Sequence, residues 1–114
     1  MDEHLRVGNL FADAAPPLQG ERFETLLSHR NLVVERIVSS AAIEIRECIQ
    51  SQDEWVVLLQ GHAVLTVAGQ AVALRSGDYL FLAAGVAHTV ESVSESALWL
   101  AVHLHGSSSS PSAP

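Results

Sequence analysis

The chain is poor in cysteine, in basic residues and in long apolar runs. Its single cysteine, Cys48, has no partner within the chain, so no internal disulfide can brace the fold. Six basic residues stand against 13 acidic ones, for a formal net charge of −7, and the basic residues form no run. Nucleic acid and anionic membrane surfaces are therefore not expected as partners, because both require a positive footprint. No apolar stretch reaches the length of a membrane-spanning helix. Met1-Asp2-Glu3-His4 is acidic and no apolar run follows it, so the pattern of a secretory signal is missing and a cytoplasmic location is the expectation. Also missing are a Gly-x-Ser-x-Gly nucleophile turn, a phosphate-binding glycine loop and a Cys-x-x-Cys pair.

What is present suits one folded domain. The chain has 114 residues, of which 48% are hydrophobic and 17% charged, enough apolar material for a core and too much for wholesale disorder. Residues 1–20 read as a lead-in broken by Ala15-Pro16-Pro17 and Gly20, residues 21–105 as a single domain, and the Ser/Pro-rich residues 106–114 as a tail unable to build a core.

Between the ends run short apolar or β-branched segments separated by polar and glycine-containing breaks. Strands are expected at Phe23–Leu27, Leu32–Val38, Ile43 to about Gln50, Trp55–Leu59, Ala63–Val67, Val72–Leu74, Tyr79–Leu82, His88–Val90 and Leu98–Leu104. Residues 21–28 also fit a helical period, but the segment is short and its neighbour is plainly β. Trp55–Leu59 is apolar on both faces, which suits a strand between two layers. Glu35 and Arg36 alternate with apolar neighbours and read as a solvated face or subunit contact. Some nine short strands at regular spacing point to an all-β sandwich or barrel.

Two spacings carry a resemblance. Glu54 is followed by six residues and Gly61; Gly77 is followed at fixed intervals by Ala83, Gly85, His88 and Ser92. This resembles the second half of the first motif and most of the second motif of the cupin superfamily, with Ala83 where a proline is usual and Ser92 where an asparagine is. The match covers roughly residues 32–104 and looks like a group of small single-domain cupins with no defined common reaction. It implies a double-stranded β-helix, or jelly-roll, barrel. It also implies a divalent transition metal (Zn, Fe, Mn, Ni or Cu) held by side chains pointing into the barrel, with Glu54 and His88 at two of four ligand positions. At the positions of the first motif's two histidines stand Cys48 and Gln50. Gln50 offers a neutral carbonyl oxygen, Cys48 a thiol that must first deprotonate, and His103 on the last strand is a further candidate ligand.

Each candidate has a plainer alternative. His88 is either a ligand or pocket base, or a hydrogen-bonded barrel histidine. Glu54 is a ligand or a carboxylate in water, Gln50 a ligand or only a pocket residue, and Cys48 a ligand or a small buried hydrophobe. On the last strand Trp99, Ala101 and His103 share one face and Leu98, Leu100, Val102 and Leu104 the other, and the alternation does not say which is interior. His4, His29, His62 and His105 fall at ends or turn edges and read as solvated. Three functions remain open: a metal-dependent small-molecule enzyme, a metal-free barrel binding a small ligand, and metal-free acid–base catalysis with His88 as base oriented by Glu54. The resemblance and the apolar strands also imply a homodimer that buries one sheet.

Overall fold

The computed structural model describes residues 6–106; the Ser/Pro tail from 107 onward, and His4, lie outside the described residues. Nine strands follow in chain order: β1 (Glu21–His29), β2 (Leu32–Ser40), β3 (Glu47–Cys48), β4 (Asp53–Gln60), β5 (His62–Val67), β6 (Gln70–Arg75), β7 (Tyr79–Leu82), β8 (His88–Val93) and β9 (Ser96–Leu104). They form two antiparallel sheets, one ordered β1-β2-β9-β4-β7 and the other β3-β8-β5-β6. This is the all-β jelly roll expected, and the described residues contain no helix that could cross a membrane.

Strand alternation decides what lies between the sheets. Pairing sets His103 beside Glu54 and Val33, Ala101 beside Val56 and Glu35, and Trp99 beside Leu58 and Ile37. These residues share the inner face of the five-stranded sheet. The second sheet contributes Ala63, Leu65, Leu74 and Val93 to the same core. Trp99, Ala101 and His103 are thus the interior face of the last strand. The turns between strands need a left-handed backbone at Gly61 and Gly77, with φ near 97° and 94°. At Gly61 a Cβ would also lie 2.5 Å from the Ser94 hydroxyl oxygen.

Three expectations are corrected. The segment from Ile43 is not a strand: only Glu47–Cys48 pairs, with β8, because the chain is crossing from one sheet to the other. Ile43 packs against the core, Ile45 and Ile49 are 61% and 65% exposed, and Glu44, Arg46, Cys48 and Gln50 border the cavity, the first three of them at its exposed rim. Second, β4 does not lie between two layers. Its inner residues Val56 and Leu58 are buried, but Trp55 stays 37% exposed on an outer face with Tyr79 and Phe81.

Third, Glu35 and Arg36 are not a solvated pair. They point to opposite faces, Glu35 into the barrel and Arg36, buried, onto the outer face of β2. The Arg36 guanidinium donates to the Glu24 carboxylate at 2.6 Å and to the backbone carbonyls of Leu10 and Ala12. Arg22 donates likewise to the carbonyls of Asp13 and Ala15. Residues 10–15 of the lead-in are therefore strapped across the outer face. A guanidinium, with five donors in a fixed fork, can hold a carboxylate and several carbonyls together.

Candidate functional site

Between the sheets a cavity of about 380 Å³ opens to solvent. Glu54, His88, Gln50, His103 and Cys48 all line it, so the structure gathers every candidate that the sequence singled out. It adds residues that the sequence did not reveal as site members: Glu21 and Glu35 from β1 and β2, and Glu44 and Arg46 from the crossing segment.

Local structure places each of them. Asp53 accepts a hydrogen bond from the backbone N–H of Ala84, and the Gln50 carbonyl accepts one from Gly85. These ties dock the loop before β8 against the start of β4. The loop delivers His88 opposite Cys48 on β3 and opposite Val67 on β5. Glu54 and His88 are only 7% and 9% exposed. A carboxylate and an imidazole buried so deeply require polar partners.

Those partners are specific. The Gln50 amide donates to Glu54 at 2.8 Å. His88 Nδ1 faces the Val86 carbonyl at 3.3 Å, toward which it can only donate, and Nε2 has no hydrogen-bond partner among the described residues. At His103 both nitrogens are engaged. The Gln52 amide donates to Nδ1 at 3.3 Å, and Nε2 donates to Glu35 at 3.2 Å. Deeper in, the Trp99 indole donates to the Ser39 hydroxyl at 3.1 Å, and Ser39 donates to Glu21 at 2.6 Å. Val56, Leu65, Leu82 and Val90 supply apolar wall.

This donor set does not fit the metal that the resemblance implies. A transition ion needs three or four lone pairs converging on one centre. Among the described residues no three of His, Cys, Asp and Glu do so. Gln50, whose amide N–H is given to Glu54, offers only a neutral carbonyl oxygen, and both nitrogens of His103 are engaged.

Two of three comparisons with known proteins find relatives of this fold. The model of the cupin domain matches residues 41–103. Among curated proteins none matches the chain. Among solved structures, a candidate mannose-6-phosphate isomerase from Ralstonia eutropha is 33% identical, with a TM-score of 0.82 over 90% of this chain and 100% of that one. A conserved protein of unknown function from Streptococcus pyogenes is 22% identical, with a TM-score of 0.77 over 91% and 90% of the two chains. A predicted oxalate decarboxylase from Thermotoga maritima is 21% identical, with a TM-score of 0.65 over 75% and 81%. The last two show likeness of fold alone. With two antiparallel sheets closing over an inward-facing Glu54 and His88, and with more than half its length matched by the family model, the chain belongs to the cupin superfamily.

Proposed function

We propose that this cupin binds a small organic molecule in its barrel without a resident metal. The observation that carries the reading is the pairing of Gln50 with Glu54, which fills the first-motif side of the cavity with an internal hydrogen bond. The cavity has the character of a ligand site: it opens to solvent and combines an apolar wall with oriented polar groups. Glu54 and His88 Nε2 are the groups through which a ligand would be held. The likeness to a candidate mannose-6-phosphate isomerase supports the small-molecule class and not that substrate, since the cavity's one arginine, Arg46, is exposed and paired with Glu44 at 3.6 Å. A phosphate would find no buried cation there.

The protein would work as a pair of identical chains. Trp55, Val57, Tyr79, Phe81, Leu100 and Val102 adjoin one another on the outer face of the five-stranded sheet. No charge lies among them, so two copies of a chain of charge −7 could meet there without like charges in contact.

The test of the binding reading is a titration of isotope-labelled, chelator-treated protein with small compounds at millimolar concentration, followed by amide chemical shifts. Shifts at Glu54, Leu65, Leu82 and His88 are expected. Shifts confined to the outer face, or none with any compound, would reject it.

A further inference from the structure

The charges and hydrogen-bonding capacity of the cavity also specify the kind of ligand. Four carboxylates line it, those of Glu21, Glu35, Glu44 and Glu54, against the single guanidinium of Arg46. The arginine is at the rim, where its side chain is 74% exposed and its partner is Glu44. Inside, Glu35 is held by His103, while Glu21 and Glu54 are held by the Ser39 hydroxyl and the Gln50 amide, which bring no formal charge. Their negative charge is therefore solvated by dipoles and not neutralised, a costly state for groups withdrawn from water.

The donors are also spent. Trp99 donates to Ser39, Ser39 to Glu21, the His103 Nε2–H to Glu35 and the Gln50 amide to Glu54. The second oxygens of Glu54 and Glu35 and Nε2 of His88 have no hydrogen-bond partner among the described residues. His88 is an independent indication. It is 9% exposed, its Nδ1 is directed at the Val86 carbonyl, and Nε2 has no hydrogen-bond partner among the described residues. A ligand completing this site must bring donors and positive charge. An ammonium group has three donors and no acceptor, whereas a carboxylate or phosphate has the opposite and would meet lone pairs and like charge.

Resting on the small-molecule reading above, we propose that the ligand is a small organic amine in its protonated form. Its ammonium group sits at Glu54 and His88, with the charge of Glu35 further along the same face, and its apolar body lies against Val56, Leu65, Leu82 and Val90. The metal-binding alternative lacks the convergence of three ligands. An ammonium ion tolerates acceptors at hydrogen-bond length from several directions, which suits carboxylates carried on different strands.

The experiment compares four probes by calorimetry and amide shifts on chelator-treated full-length protein: phenethylamine, 2-phenylethanol, 3-phenylpropionate and mannose 6-phosphate. The first three share a phenethyl body and differ in the charge of the head group. Phenethylamine is expected to bind at least about tenfold more tightly than the alcohol, a preference of roughly 1.4 kcal/mol. The two anions are expected not to bind. The preference should weaken in Glu54→Gln and, separately, in Glu35→Gln, each of which keeps the side-chain shape. Equal binding of amine and alcohol, or binding of either anion in preference, would overturn the amine assignment and leave the pocket reading standing. If none of the four binds, both fall.

Discussion

Gln50 and Glu54 show how far a single hydrogen bond governs this site. Replacing Gln50 with leucine keeps the bulk but leaves a buried carboxylate without its amide donor. A loss of about 1–3 kcal/mol in unfolding free energy is expected, read by chemical denaturation. An unchanged midpoint would mean that water replaces the amide without cost. Gly61 is governed by backbone instead. Alanine there must hold a left-handed φ and push against Ser94 and the Ser96 carbonyl, so Gly61→Ala should cost about 2–4 kcal/mol. Gly85 also has a positive φ, but nothing lies within 4 Å of its would-be Cβ, and Gly85→Ala should cost less. Glu54 and His88 were legible in the sequence because motif spacing is local. Glu35 was not. What makes it a site residue is its bond to His103, 68 residues away, and an alternating strand looks the same whichever face is interior.

At the scale of elements, the alternating strands could be read because period-two patterning is local chemistry. Two segments could not. The crossing segment from Ile43 alternates as a strand does, yet only Ile43 of its three isoleucines packs against the core, because the segment runs along the rim of a cavity. The lead-in has no pattern of its own. It is ordered by Arg36 and Arg22, whose donors satisfy its carbonyls. Arg36→Met should therefore cost about 2–4 kcal/mol and make the backbone around Leu10 to Asp13 exchange hydrogen faster.

The same arginine ties stability to pH. Its hydrogen bond to Glu24 holds that carboxyl below the usual carboxylate range. A carboxyl lowered on folding adds stability above its unfolded value, and the gain is lost as pH falls through the folded one. Wild type should exceed Glu24→Gln in stability by a constant amount above about pH 5, and the difference should shrink as the solution is acidified further. Glu24 is about a third exposed, so the effect is small. A difference that does not change with pH would mean that the pair contributes through shape alone.

For the whole molecule, the apolar outer face and the acidic cavity lie on opposite sides of one sheet, so pairing through the first leaves the second open. Light scattering should give twice the monomer mass at micromolar concentration, and Phe81→Glu should return the protein to monomer, since Phe81 is 60% exposed in the single chain. A monomeric wild type would contradict the pairing. The barrel itself was legible because many short strands at regular spacing admit few other architectures. Function was not, because one barrel serves many chemistries and the side chains in its cavity decide among them. The measurement that tests the central claim most directly is elemental analysis of protein purified without a metal-affinity step, then repeated after incubation with Mn, Fe, Ni, Cu or Zn and desalting. The account predicts well under one metal per chain in every case. One metal per chain, lost in both Glu54→Ala and His88→Ala, would contradict it.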